Sequence, residues 1–288
     1  MKILITGKNG QVTRALQGAL AALGDVTALG SQTLDLRQGD AIRRTLDRVR
    51  PGLIINPAAY TAVDPAENDR DNAWALNATA PGVLAECAAE LGVPLIHYST
   101  DYVFDGSKPA PYTEADPTSP LGVYGQSKLE GEHAVAQAWE QHLILRTSWV
   151  YSLHGRNFLL TMLRLLQEKP ELRVVADQIG APTWAGTIAA STAQLVQRWL
   201  AGEAGAWGVY HLTASGETSW FGFAQAIGEQ LQATGKACSE LVGIASSEYP
   251  TPAKRPLNSR LDCSKLAREW GVTQPDWHTA LLQCLGSH

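Results

Sequence analysis

The sequence predicts an α/β fold, a doubly wound parallel sheet with a smaller C-terminal lobe. Three observations predict it. Short apolar runs at residues 3–5, 53–55, 95–96 and 143–145 alternate with stretches of helical period. The runs are continuous rather than alternating, as strands covered on both faces are. Glycine and proline mark the joints between them. Repeated βα units of this kind imply right-handed crossovers.

Composition narrows the class. A chain of 288 residues, 45% of them hydrophobic, can bury a large core in one α/β unit with a smaller lobe. The formal net charge of -5 leaves no basic footprint, so no nucleic-acid partner is expected. No window reaches the ~18 apolar residues of a membrane span. Ile3, Leu4 and Ile5 before Gly7 are too few for a secretory segment. The expectation is a cytoplasmic protein with no membrane partner. Cys87, Cys238, Cys263 and Cys284 lie far apart, which excludes zinc and redox motifs and leaves four reduced, mostly buried thiols.

Lys2–Thr6 reads as the first strand, ending in Gly7-Lys8-Asn9-Gly10-Gln11-Val12. A helical pattern with Leu16, Ala19, Leu20 and Leu23 on one face follows. Strand, glycine turn, helix is the context of a Rossmann-like dinucleotide site. The glycines admit a pyrophosphate and the helix N-terminus offers it free N–H groups. Thr13 stands where a third glycine is usual, so slightly wider helix–strand packing is expected. Residues 25–29 form the second strand. Gly30-Ser31-Gln32 follows it, without the acid that binds a ribose 2′-hydroxyl, so NADPH is tolerated as well as NADH. Arg37 reads as a solvated loop charge.

Asp40 caps a helix running to about residue 50. The third strand, residues 53–56, ends in Pro57-Ala58-Ala59-Tyr60-Thr61, whose small residues leave room for a ligand at a strand's carboxyl end. One long helical pattern spans 67–91 and includes Asn77. The fourth strand, 94–98, runs into Ser99-Thr100-Asp101, with His97 read as a satisfied core residue. Residues 105–120 form a surface loop. A helix from about 121 to 138 carries Tyr124 and Lys128, and the fifth strand, 143–146, ends in Thr147-Ser148-Trp149-Val150-Tyr151. Helices at 157–167, 186–200 and 219–233 and strands at 172–176 and 208–212 complete the reading. Residues 249–256 are locked by prolines and present Lys254 and Arg255. A division into a 1–150 NAD(P)-binding domain and a 151–288 substrate-binding lobe follows, the later strands being free to rejoin the first sheet.

Tyr124 and Lys128, four apart, share one helix face. Lowering a phenol by about 3 pKa units takes roughly 4 kcal/mol. One ammonium about 4 Å away at an effective dielectric near 20 supplies that much. A lysine-acidified phenol is therefore expected beside the Thr100 hydroxyl.

The glycine turn, a hydroxyl ending the fourth strand and a Tyr–Lys pair in the next helix together resemble the extended short-chain dehydrogenase/reductase superfamily. Within it, the runs 97–104, 59–64, 123–129, 146–151, 177–183 and 255–261 are similar to those of dTDP-4-dehydrorhamnose reductases. That family reduces the C4 ketone of dTDP-4-dehydro-L-rhamnose for bacterial surface polysaccharide. The resemblance implies catalytic roles for Thr100, Tyr124 and Lys128. It implies NADPH or NADH along Gly7, Gly10, Gln11, Val12, Asp35, Leu36, Ala58, Ala59, Tyr60, Thr61 and Tyr98, with Tyr124 and Lys128 at the nicotinamide end. It puts Thr100, Asp101, Trp149 and Arg255 on the substrate. Tyr60 stands where a histidine is common, and Ala15 and Gly186 where some members carry acids that join subunits through Mg²⁺. No metal is expected, and a homodimer is left open. A 4,6-dehydratase needs a second acid after the threonine, and Tyr102 stands there instead. A 4-epimerase would return its hydride and consume no NADPH. A non-catalytic subunit on the same fold would not need Thr100, Tyr124 and Lys128 together.

Overall fold

The computed structural model describes residues 1–286. Five strands come from the first half: β1 (Lys2–Thr6), β2 (Asp25–Leu29), β3 (Leu53–Asn56), β4 (Leu95–Thr100) and β5 (His142–Thr147). They lie in the order β5-β4-β3-β1-β2, and Gly208–His211 adds a sixth strand beside β5. Every pairing is parallel. β3 and β4 are buried along their whole length, as their unbroken apolar runs require.

Helices cover both faces. Leu16 and Leu20 from Gln11–Leu20 and Ile188, Leu195 and Val196 from Ala185–Leu200 close one side of the sheet. Ile42 and Leu46 from Gly39–Val49, Leu84 and Ala88 from Ala80–Leu91, and Val135 from Val123–Ala138 close the other. The chain reverses winding at the seam between β1 and β3, and a doubly wound sheet opens its ligand crevice at such a seam.

The expected helix over 67–91 is broken. Short helices Val63–Ala66 and Arg70–Trp74 lead into a wide π turn, Ala75–Thr79, before Ala80–Leu91. Pro81 has no N–H to return to Asn77, so the regular ladder cannot pass through this point. Asp40 lies in the first turn of its helix without capping it, since Gln38 is the cap residue and no side chain bonds there. Residues beyond 150 build a further apolar core around Tyr151, Leu159, Phe223 and Ile227. It lies under a parallel pair, Glu171–Val175 with Glu240–Ile244, whose second strand the sequence pattern did not reveal. Cys87 and Cys284 are buried, and Cys238 and Cys263 half-buried, all four as free thiols. Among the described residues no helix is long and apolar enough to cross a membrane.

Candidate active site

A groove runs across the carboxyl ends of β1 and β3. Its inner part, about 530 Å³, is lined by the glycine turn from Gly7 to Val12, by Ala58, Ala59 and Thr61, and by Tyr124 and Lys128. Its outer part, about 390 Å³, is lined by Leu34, Asp35, Leu36, Arg37 and Tyr60 among others. Gly7 is left-handed (φ 72°), and a Cβ there would stand 3.0 Å from that of Ala58. A bare backbone is therefore required where two strand ends converge. Gly10 caps the following helix without a side-chain acceptor, and no acid enters its first turn. Such an N-terminus suits an anion. Thr13 is buried and donates to the Thr6 carbonyl at 3.1 Å, so its hydroxyl is absorbed by the turn.

Thr100 ends β4 and accepts from the Tyr102 N–H at 3.2 Å. Its own hydroxyl donates to Asp101 Oδ1 at 3.0 Å. The Tyr124 phenol stands close enough to the Thr100 hydroxyl for that group to work against the rise that burial imposes on its pKa. Gly125 makes this approach possible, because a Cβ there would stand 2.2 Å from the Tyr102 carbonyl. Lys128 follows one turn later, only 2% exposed, and donates to the Tyr98 carbonyl at 2.6 Å.

The chain matches the family model described as RmlD substrate binding domain over residues 1–288. It is 47% identical to the dTDP-4-dehydrorhamnose reductase of Burkholderia thailandensis over 99% of this chain and 98% of that protein. It is 43% identical to the Escherichia coli K12 enzyme of the same name, covering 99% and 97%. A crystal structure of the Bacillus anthracis dTDP-4-dehydrorhamnose reductase in complex with NADP superposes with TM-score 0.92 at 33% identity, covering 100% and 99%. The chain belongs to the dTDP-4-dehydrorhamnose reductase family.

Electrostatics in this reductase-family site differ from the sequence expectation. The Tyr124 phenol is pushed up to about 12. Burial is the first cause, partly offset by the Thr100 hydroxyl, and the Asp101 charge also raises it. Lys128 is not among the groups that shift it, and its amine donates to the Tyr98 carbonyl at 2.6 Å. Burial lowers Lys128 itself to about 8. Burial likewise raises Asp101 to about 6, against hydrogen bonds from Ser259 and Thr100.

The remaining residues named from the sequence are scattered along the clefts. Asp35 borders the outer groove but is bidentately paired with Arg37, at 2.9 and 2.8 Å, so no free carboxylate stands there. Arg37 is the solvated loop charge expected, its side chain 53% exposed even in this pair. Tyr98 borders the inner groove, yet its phenol bonds Thr192 at 2.6 Å on the opposite face of the sheet, since neighbours on a strand point opposite ways. Gln11 accepts from Ser152 and Asn157 at 2.9 and 2.7 Å and so ties the glycine turn to the second half. Trp149, left-handed at φ 47°, stacks on Trp220 with centroids 3.7 Å apart. Arg255 lines a cleft of about 390 Å³ with Tyr102, Trp220 and Tyr249. It is held there by Asp64 at 2.8 and 3.1 Å.

Several contributors carried no signal strong enough to single them out. Asn77 bonds both the N–H and the carbonyl of Tyr60 and also Ser127, fastening the groove wall to the Tyr124 helix. Its burial in a broken helix could not be read from spacing. Lys8 and Arg156 add positive charge to the inner groove. Lys8 lay within the glycine turn and could have been found. Arg156 comes from a distant loop. No cluster that could hold a metal ion exists among the described residues.

Proposed function

We infer that this chain reduces the C4 ketone of dTDP-4-dehydro-L-rhamnose to dTDP-L-rhamnose with NADPH or NADH. The observation that carries the reading is Tyr124 with buried Lys128 one turn on, both lining a groove floored by the glycine turn, with the Thr100 hydroxyl acting on the phenol. The bare Gly7 backbone and the uncapped helix start fit a cofactor pyrophosphate. The reduced nicotinamide, when bound, supplies the hydride.

The residues supply the rest. Gly10, Gln11 and Val12 hold the pyrophosphate. Asp35 and Leu36 take the adenine end, and Ala58, Ala59, Tyr60 and Thr61 form the wall. With Asp35 neutralised by Arg37, a 2′-phosphate meets no bare carboxylate, which favours acceptance of NADPH. Tyr124 stays protonated across the physiological range and gives its proton to the sugar oxygen as charge develops there. Thr100 keeps the phenol aimed. Lys128 is placed to hold the ribose. Asp101 and Trp149 face the sugar, and Arg255 meets the diphosphate, where a guanidinium fork matches the oxygens. In this reading residues 1–150 carry the cofactor and 151–288 the nucleotide sugar. The setting is cytoplasmic, without a nucleic-acid partner, in keeping with the net charge of -5.

The test is NADPH oxidation with dTDP-4-dehydrorhamnose, run against its GDP- and UDP-linked analogues. Tyr124→Phe should lower kcat by about 10²–10⁴ with NADPH binding unchanged. Wild-type turnover in that variant would remove the assignment. Sizing by light scattering, with and without Mg²⁺, decides whether a homodimer forms.

A further inference from the structure

Lys128 is held from behind by a buried row of neutral groups that the reaction above does not use. Thr6, Asn56 and His97 sit at or near the carboxyl ends of β1, β3 and β4, which are neighbours in the sheet. All three are buried, and Asn56 and His97 are in register. The Ala58 N–H donates to Thr6 Oγ1 at 3.3 Å. Thr6 Oγ1 lies 2.5 Å from Asn56 Oδ1. Asn56 Nδ2 lies 3.0 Å from His97 Nδ1, and His97 Nε2 lies 3.4 Å from Lys128 Nζ.

The direction of these bonds follows from their first member. A backbone N–H can only donate, so the Thr6 oxygen accepts from Ala58 and its own hydrogen goes to Asn56 Oδ1. A 2.5 Å separation also suits an O–H···O bond better than an N–H···O bond. The Asn56 nitrogen then faces Nδ1 and donates to it. Burial holds the His97 ring well below its ordinary pKa, so it is neutral and carries one proton. With Nδ1 accepting, that proton sits on Nε2, facing Lys128. An ammonium offers only hydrogens there, whereas a neutral amine offers a lone pair.

We propose that Ala58, Thr6, Asn56 and His97 form a positioning chain that fixes the Nε2–H tautomer of His97 and thereby favours the neutral amine of Lys128. Charged and titratable groups facing this pair are few. Glu132, on the same helix, favours the ammonium, but it is engaged by Arg146 of β5. His142 of β5 acts on His97. Tyr124 is one turn away on the same helix. The chain thus opposes Glu132 and makes the Lys128 proton easier to lose.

The kinetic part of this inference rests on the proposed reductase role of Lys128; the tautomer does not. The test uses the full chain carrying ¹⁵N-labelled imidazoles, with the His97 signals assigned by their loss in His97→Gln. Wild type should show protonated Nε2 and bare Nδ1. Thr6→Val keeps the shape but removes the hydroxyl hydrogen, so the Asn56 amide turns over and His97 inverts to Nδ1–H. The alkaline limb of kcat/KM should then move up by about one pH unit, the scale of one hydrogen bond to a charged group. Thr6→Ser should restore both readouts. A wild-type Nδ1–H tautomer, or a Thr6→Val protein with tautomer and limb unmoved, overturns the inference and leaves the reductase reading intact. The expected tautomers in a protein that oxidises no NADPH would support the inference and remove that reading instead.

Discussion

Two buried charges lie one turn apart on the helix Val123–Ala138 and are held in opposite ways. Glu132 meets the Arg146 guanidinium in a bidentate pair at 2.9 and 2.6 Å, with both side chains no more than 6% exposed. Lys128, just as deep, donates to a carbonyl and stands 3.4 Å from an imidazole nitrogen. Where a charge serves only to join a helix to a strand, the fold supplies the opposite charge in matching geometry. Lys128, proposed to serve the reaction, is left with neutral polar neighbours, and burial makes its proton easier to lose.

Breaking the first arrangement should cost most. Glu132→Gln leaves a buried guanidinium without its counter-charge, and Arg146 already has one nitrogen, Nη1, without a partner. A loss of about 3–5 kcal/mol in urea denaturation is expected. A loss under about 1 kcal/mol would mean that water reaches Arg146 and that the contrast with Lys128 is one of degree.

Asp101 sharpens the comparison from the acid side. It is buried without a cationic partner, and its pKa rises from 3.8 to about 6. With the folded value above the unfolded one, the folded state binds more protons between about pH 4 and 6. Stability is therefore fullest below pH 4, falls as pH rises to about 6, and is level above. The ceiling is about 3 kcal/mol for a shift of roughly two units. Asp101→Asn should flatten that slope, read as the difference in unfolding free energy between the two proteins across the window. A parallel pH dependence in both would show that Asp101 is ionised in the fold throughout.

The same contrast separates what could be read from the sequence from what could not. The residues proposed as catalytic stood out in the sequence because each half announces itself locally. A threonine ends an apolar strand, and Tyr124 and Lys128 sit four apart in the next helix. The glycine turn was legible because φ > 0 and a close backbone approach leave few alternatives to glycine. Contacts made by register were not. Thr6, Asn56 and His97 lie on separate strands, and only the stacking of β1, β3 and β4 unites them. His97 read as an ordinary core residue for that reason. The Asp64–Arg255 pair closes across 191 residues, and no spacing rule reaches that far. The helix over 67–91 misled because helical periodicity survives a π turn, while Pro81 decides where the turn falls. The phenol's acidity misled for an electrostatic reason. Spacing places an ammonium one turn from Tyr124 but does not say which acceptor it turns to.

The smallest effect expected is on Lys128 itself, and its sign is the informative part. Its folded value of about 8 lies below the ordinary 10.5. The burial penalty is therefore complete below pH 8 and relieved as pH climbs towards 10.5, where the unfolded chain also loses its proton. Replacing the amine with an apolar chain of similar length removes a penalty of about 3 kcal/mol. It also leaves the Tyr98 carbonyl without its donor, which costs about 1–3 kcal/mol. Lys128→Met should thus be as stable as the parent or up to about 2 kcal/mol more stable at pH 7. That margin should shrink as pH rises through 8–10, while turnover is lost. Thermal unfolding at pH 7 and pH 10 reads this directly. A clear loss of stability at pH 7 would place Lys128 with Glu132, as a charge the fold needs, and would end the contrast between the two turns of the helix.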